Sequence, residues 1–207
     1  MRFGIHAGPQ DCTLADLRRL WRVADDEGFH WCSVWDHVYS VSDLADPAKP
    51  AFEGVATMAA LAAETRRVRV GCLVFCVCYR PLGVLAKAAV TIDHVSGGRC
   101  ELGIGAGWNE IESRAFGIPF PSIRERLDLL DETAAVRQQE ENLRLMFGPM
   151  TDLVRPGILV GTPAQVIDRI GAYGKAGAEW VILALRAPFD WEGLDLFVRD
   201  VLPAFRR

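Results

Sequence analysis

An aspartate and a histidine adjoin at the end of the second apolar segment of the chain. Trp31–Trp35 has the composition of a buried strand, and Asp36 and His37 follow it directly. In a parallel barrel the carboxyl ends of the strands line the active site, so a carboxylate and an imidazole there are well placed for chemistry. Because imidazole titrates near neutral pH, His37 is the candidate that accepts or donates a substrate proton. The alternative is that the pair only orders the long loop that follows.

A second group of polar residues follows a glycine-rich segment. Residues 103–107 read Gly-Ile-Gly-Ala-Gly and precede Trp108, Asn109 and Glu110. The glycine spacing is one residue short of the dinucleotide-binding pattern, so it does not predict a Rossmann site. The glycines instead indicate that the end of a strand approaches a ligand ring closely. Glu110 is a candidate acid, or it only begins the next helix favourably with its charge.

The order of elements along the chain predicts parallel strands joined by helices with right-handed crossovers. Strands are expected at residues 2–6, 31–35, 68–75, 100–105 and 180–185, with a further short strand possible at 158–160. Helices are expected at residues 14–27, 53–65, 82–95, 122–147 and 191–201, the last stopped by Pro203, and another from Pro163 to Gly174 or Gly177. Thr162 caps the helix that begins at Pro163, and phosphate binding at that helix start is the alternative.

Composition excludes several classes of function. The 207 residues carry 27 acidic and 23 basic side chains, a net charge of -4, which argues against nucleic-acid binding. No apolar run reaches the length of a membrane span, and the N-terminus has no signal-peptide pattern, so a cytoplasmic location is expected. The six cysteines have no zinc spacing and are expected to be buried thiols, and no metal site is predicted.

Ordered motifs over more than half of the chain resemble the luciferase-like monooxygenase superfamily, within its actinobacterial branch of probable coenzyme F420-dependent oxidoreductases. The motifs carrying this resemblance are Val34-Trp35-Asp36-His37, Tyr79-Arg80, Leu85-Ala86-Lys87, Asp93 to Arg99, Leu102 to Glu110, Ala115 to Phe120, Glu125-Arg126-Leu127 and Val160 to Pro163.

The resemblance implies roles for the site residues. Asp36 would hydrogen-bond the edge of the deazaflavin, and His37 would face its reactive carbon. Leu73-Val74 falls where the family has a cis peptide bond between non-proline residues, which backs the flavin-type ring together with Cys76. The glycines Gly105 and Gly107 would lie close to the ring, and Asn109 matches a cofactor-contacting position. Trp108 falls where related sugar dehydrogenases carry a catalytic acid, a role that an indole cannot fill.

The chain is shorter than members of this family. The resemblance implies an α/β, TIM-barrel-like (β/α) fold, truncated by an internal deletion of about three βα units. We expect a single domain over residues 1–207 with the deletion junction near 136–160. Because five strands cannot close an eight-stranded barrel, we expect the open side to be covered by the 122–147 helix, the 148–161 connector or the second chain of a homodimer.

These observations favour an oxidoreductase that transfers a hydride between coenzyme F420 and a small organic substrate. Catalysis would then depend on His37 and, as a candidate acid, Glu110. Two alternatives remain open: a flavin-dependent monooxygenase that uses FMN, and a non-catalytic shortened barrel that has lost full cofactor binding. Titration with F420 and with FMN distinguishes all three.

Overall fold

A computed structural model of the protein describes residues 1–41, 49–134, 162–185 and 189–205. These residues belong to two compact units. The larger unit comprises residues 2–133 and 180–190, and the smaller comprises Met1, 134–179 and 191–207. All of the predicted site residues lie in the larger unit. The single-domain interpretation stays a prediction, and the expected junction at 136–160 lies outside the described residues.

A parallel sheet organises the larger unit. Among the described residues, five of its strands pair in the order β5-β3-β2-β1-β7, all parallel. These strands are β1 (Arg2–Ala7), β2 (Trp31–Val34), β3 (Arg69–Cys72), β5 (Cys100–Glu101) and β7 (Trp180–Leu185). A shorter pair, β4 (Phe75–Cys76) and β6 (Ile104–Gly105), is also parallel. The predicted parallel α/β architecture is therefore confirmed.

Helices connect the strands of this unit; four of them overlap the stretches where the sequence pattern predicts helices, and a short one at residues 110–115 lies outside those stretches. They are α1 (Leu14–Asp26), α2 (Gly54–Glu64), α3 (Leu82–Ser96), α4 (Glu110–Ala115) and α5 (Ile123–Ala134). Thr13 and Asp16 form the capping box expected at the start of α1, and Gly28 ends it with a left-handed backbone at φ 74°. The part of the predicted 122–147 helix beyond Ala134 lies outside the described residues, as does the possible strand at 158–160.

The core of the larger unit lies between the sheet and helices α1 to α3. Register places Ile5, Cys32 and Val70 on one face of neighbouring strands, and all three are buried. Leu17 of α1 and Leu61 of α2 are buried as well, as the helical spacing of apolar residues requires. This packing fixes the strands, and their carboxyl ends then hold the loops that carry the site.

Two of the predicted strands are each divided in the structure. The expected strand at 68–75 is split into β3 and β4 by a cis peptide bond between Leu73 and Val74. The expected strand at 100–105 is likewise split into β5 and β6. The cis bond that the family resemblance implied is therefore present. The second halves, β4 and β6, pair with each other, and the N–H of Phe75 donates to the carbonyl of Gly103.

Glycines let these two divided strands lie against each other. A Cβ at Gly103 would overlap the carbonyl oxygen of Cys72, and one at Gly105 would lie 2.5 Å from Cγ2 of Val74. Gly103 thus faces the backbone of Cys72 and Gly105 faces the side chain of Val74, and the expected approach of these glycines to a ligand ring stays a prediction. Any side chain at these glycines would push the cis-peptide segment out of place.

The smaller unit contains α6 (Pro163–Lys175) and α7 (Trp191–Leu196). Thr162 caps α6 and forms a capping box with Gln165, as the sequence predicts. The predicted helix at 191–201 needs correction, because α7 continues as a π-helical turn (Phe197–Val201) and a 3-10 turn (Leu202–Phe205). Pro203 does not end the helical backbone, because it lies in the first turn of the 3-10 segment, where a residue needs no backbone N–H donor.

The sheet ends at β5 and β7 within the described residues, and both edges carry exposed apolar side chains. Leu102 follows β5 and is 48% exposed, and Ile182 of β7 is 43% exposed. The segments expected to cover the open side lie mostly outside the described residues, so the nature of the cover stays a prediction. No helix among the described residues is long and apolar enough to cross a membrane.

Substitution of one glycine tests the packing of the divided strands. We expect Gly103→Ala to lower the free energy of unfolding by about 1–3 kcal/mol, because the added methyl group meets the backbone of Cys72. The matched control is Gly83→Ala in the first turn of α3, where nothing lies within 4 Å of the new methyl group. The control should change stability by less than about 0.5 kcal/mol or increase it slightly. Equal losses in urea denaturation of the two variants would contradict this packing.

Candidate active site

The polar segments singled out in the sequence converge at the carboxyl ends of the strands. Asp36 and His37 follow β2, the cis peptide follows β3, and Asn109 follows β6; His6, which is not among the segments singled out above, lies near the end of β1. His6 and His37 both contact the indole of Trp35 edge to face, with ring centroids 5.8 and 5.7 Å away. The parallel topology thus brings residues from four segments to one end of the sheet.

Asp36 is buried and bound within the chain. Its carboxylate accepts two hydrogen bonds from the guanidinium of Arg80, at 2.7 and 2.8 Å, and one from the backbone N–H of Cys76 at 2.9 Å. Burial raises the pKa of Asp36, and the ion pair with Arg80 opposes that rise. The carboxylate therefore ties the end of β2 to the segment after the cis peptide. Its expected contact with a cofactor stays a prediction.

His37 is held between two indoles and a carboxylate. Its ring lies edge to face with Trp35 and with Trp108, whose centroid is 5.4 Å away. Nδ1 is 2.6 Å from Oε1 of Glu112. The imidazole side chain is 18% exposed, so it is confined and still accessible from one side. Trp108 itself is exposed, and its indole covers one side of the imidazole.

Glu112, which sequence reasoning missed, is the carboxylate that meets His37. It is completely buried in α4 and also accepts hydrogen bonds from the Tyr79 hydroxyl at 2.5 Å and from the backbone N–H of Val38 at 2.9 Å. Burial alone would raise the pKa of Glu112, but the hydrogen bonds from His37 and Tyr79 outweigh it and the pKa lies below its ordinary value. Four groups that can donate hydrogen bonds therefore face this carboxylate, an arrangement that favours its ionised form.

Glu110, the predicted acid, lies elsewhere. Its side chain is half exposed and forms an ion pair with Arg114, four residues on in the same helix, at 2.8 Å. Charged residues occupy every second position of α4, at 110, 112 and 114, so no periodicity in the sequence distinguishes the buried glutamate from the exposed one. Only the packing of α4 against the loop after β2 shows which of the two meets His37.

The cis-peptide segment presents an apolar surface. Leu73 and Val74 are 44% and 36% exposed, although they lie between two buried half-strands. Cys76 is buried below them, and burial raises the pKa of its thiol to about 12, which keeps the thiol neutral. Gly107 has a left-handed backbone, and a Cβ there would lie 2.6 Å from Sγ of Cys76. We call the exposed pair Leu73 and Val74 the apolar shelf.

Two buried polar side chains near the site have donors without a partner among the described residues. Asn109 caps α4 with its carbonyl oxygen, 3.1 Å from the Ile111 nitrogen, and its Nδ2 has no acceptor in the described part of the chain. Arg126 of α5 stacks on Phe120 at 3.9 Å, while its Nε and Nη1 find no acceptor among those same residues. Such groups are costly to bury and are typical of positions that meet a ligand.

A cleft of about 410 Å³ lies in the larger unit beside this cluster. It is lined by Val77, Cys78, Tyr79, Arg80, Pro81, Leu82, Gly117, Ile118, Pro119, Pro121 and Leu129. Tyr79 lines the cleft, and its hydroxyl hydrogen-bonds the Glu112 carboxylate that also contacts His37. Among the described residues, no group of three or more histidine, cysteine, aspartate or glutamate side chains is placed to hold a metal ion.

Comparison with known proteins identifies the family of the chain. The sequence model of the family described as luciferase-like monooxygenase matches residues 1–140. The chain belongs to that family. It is 30% identical over 153 residues to 5,10-methylenetetrahydromethanopterin reductase of Archaeoglobus fulgidus, covering 68% of this chain and 41% of that protein. It is also 30% identical over 219 residues to F420-dependent glucose-6-phosphate dehydrogenase of Kineococcus radiotolerans, covering 100% of this chain and 61% of that protein.

Solved structures show the fold. The coenzyme F420-dependent tetrahydromethanopterin reductase of Methanopyrus kandleri superposes with a TM-score of 0.68 over 99% of both chains at 15% identity. The predicted TIM-barrel-like (β/α) fold class is therefore confirmed. The present chain is shorter than its full-length relatives and spans 41% and 61% of the two curated proteins named above.

The two acidic partners of Arg80 allow a matched test of the buried ion pair. Asp36 is almost fully buried, whereas Glu53, 2.9 Å from the same guanidinium, is 46% exposed. We expect Asp36→Asn to lower the free energy of unfolding by about 3 kcal/mol, because it leaves the inner side of a half-buried guanidinium unpaired. Glu53→Gln should cost less than about 1 kcal/mol, since water replaces an exposed partner. Similar losses in chemical denaturation would contradict the central role of Asp36.

Proposed function

We propose that this protein is an oxidoreductase that transfers a hydride between coenzyme F420 and a small organic substrate. The observation that carries the proposal is the position of His37. Its imidazole is clamped by a buried carboxylate and two indoles at the end of the sheet to which the cis-peptide segment also belongs. An imidazole held in this way can take up or release a proton when the substrate is oxidised or reduced.

The residues at the site fit a cofactor that has a flat ring and an anionic tail. The apolar shelf offers two exposed aliphatic side chains as a backing for the ring. The partnerless Nδ2 of Asn109 suits a carbonyl or ring-nitrogen acceptor, and the two partnerless N–H groups of Arg126 suit a phosphate. Both F420 and FMN have these features. Leu73, Val74, Asn109 and Arg126 would hold the cofactor, with Gly105, Gly107 and Cys76 keeping the shelf in place.

The cofactor and the side chains of the chain would have separate roles in the reaction. When bound, the cofactor accepts or supplies the hydride, which is the step that no side chain can perform. Nε2 of His37 would accept the proton of a substrate hydroxyl group, or return it to a carbonyl oxygen in the reverse direction. Trp108 and Trp35 would confine the imidazole and reduce its contact with water. The proposal assigns no proton transfer to Glu110, whose carboxylate pairs with Arg114.

F420 is proposed over FMN because the F420-dependent glucose-6-phosphate dehydrogenase, which matches the whole of this chain at 30% identity, acts with F420 by name. A monooxygenase that uses FMN is the second candidate, supported by the family to which the chain belongs. A non-catalytic shortened barrel that has lost full cofactor binding is the third. We also propose a homodimer, because the exposed apolar residues at the sheet edges need a cover. Sedimentation equilibrium of the purified chain at a single mass equal to the monomer would contradict the dimer.

Titration with each cofactor tests the proposed function. We expect F420 to bind in the micromolar range and FMN more weakly, measured by the change in cofactor fluorescence. Arg126→Met should weaken binding by about tenfold or more, which corresponds to about 1.4 kcal/mol, because a buried guanidinium is removed from the anionic tail.

The matched control for this titration is Arg124→Met, which removes an exposed arginine from the same helix. It should leave the affinity for F420 within about twofold. Failure of the wild-type chain to bind either cofactor would contradict the proposal and favour the non-catalytic shortened barrel. Binding of FMN alone would favour the monooxygenase.

A further inference from the structure

One oxygen of the Glu112 carboxylate meets two side chains at once. Oε1 is 2.6 Å from Nδ1 of His37 and 2.5 Å from the hydroxyl of Tyr79. The other oxygen, Oε2, accepts the backbone N–H groups of Val38 and Tyr39, at 2.9 and 3.3 Å. The side chain is completely buried, and these four groups are its hydrogen-bonding partners in the described part of the chain.

An ionised carboxylate can only accept hydrogen bonds, and this decides which nitrogen of His37 carries the proton. Nδ1 faces Oε1 at hydrogen-bonding distance, so Nδ1 must be the donor. In the neutral imidazole the other nitrogen, Nε2, then has a free lone pair. No described residue hydrogen-bonds Nε2, since the remaining contacts of the ring are the edge-to-face contacts with Trp35 and Trp108.

We propose that Glu112 is a positioning residue that fixes His37 in the Nδ1–H tautomer and so leaves Nε2 free to accept a proton. The catalytic consequence of this tautomer rests on the proposed function above, whereas the tautomer itself does not. Glu112 acts through His37 and does not need to touch substrate or cofactor. The role resembles in principle that of any buried carboxylate that orients a general base through its far nitrogen.

The backbone contacts make Glu112→Gln a sharp test. The N–H groups of Val38 and Tyr39 can only donate, so they hold the amide oxygen of the glutamine at the position of Oε2. Its NH₂ group must then face Nδ1 of His37 and the Tyr79 oxygen. Because NH₂ can only donate, Nδ1 must lose its hydrogen and the proton must move to Nε2. An isosteric change is thus expected to invert the tautomer.

The readout is the ¹⁵N spectrum of histidine-labelled protein, in which the two nitrogens of a neutral ring differ in shift by tautomer. The signals of His37 are assigned as those lost in His37→Gln. We expect the Nδ1–H form in the wild-type chain and the Nε2–H form in Glu112→Gln. The matched control is Tyr79→Phe, which removes the other side-chain donor to Oε1 and should leave the Nδ1–H form in place.

An Nε2–H form in the wild-type chain, or no change in Glu112→Gln, would overturn the inference. The wild-type spectrum decides even if the Glu112→Gln chain does not fold, which circular dichroism would show. With F420 and a turned-over substrate, Glu112→Gln should lower kcat about a hundredfold to ten-thousandfold while the Kd for F420 changes little. If the tautomer inverts but the wild-type chain neither binds nor reduces F420, the positioning role stands and the proposed function fails.

Discussion

The buried carboxylate of Glu112 is the interaction on which the arrangement of the site depends. A charge removed from water must be neutralised by donors, and removal of those donors costs several kcal/mol. Glu112 finds its donors on two segments other than its own helix: the loop after β2 supplies His37 and two backbone N–H groups, and the segment after β4 supplies Tyr79. These segments and α4 are therefore held together at one point, and His37 has little freedom to turn.

The ion pair between the buried Asp36 and Arg80 follows the same principle. Their ion pair joins the end of β2 to the segment that follows the cis peptide, and the N–H of Cys76 completes it. The adjacent residues Asp36 and His37 thus bind partners of opposite charge: Asp36 pairs with Arg80, and His37 contacts Glu112. Asp36 ties the segment after the apolar shelf to the end of β2, and His37 is held by Glu112 at the end of the same strand. The glycines at 103 and 105 allow the two divided strands to approach closely, Gly103 against the backbone of Cys72 and Gly105 against the side chain of Val74.

Much of this was predictable from the sequence, for identifiable reasons. Asp36-His37 after an apolar run, and Thr13 with Asp16 before α1, are local patterns whose geometry depends on near neighbours. The divided strands were not predictable from periodicity, because a continuous apolar run such as 68–75 does not show where the chain will bend. Glu112 was missed for a related reason. Its burial depends on contacts with residues 33 or more positions away. A short helix with a charged residue at every second position has the pattern of a solvent-exposed helix.

The central claim is that the apolar shelf and His37 form one cofactor site. A crystal structure of the chain with bound F420 tests it most directly. The account predicts a deazaflavin ring lying on Leu73 and Val74, with its reactive carbon on the side of Nε2 of His37 and its phosphate within about 3 Å of the Arg126 guanidinium. A ring bound away from the shelf, or a phosphate that does not meet Arg126, would contradict the account.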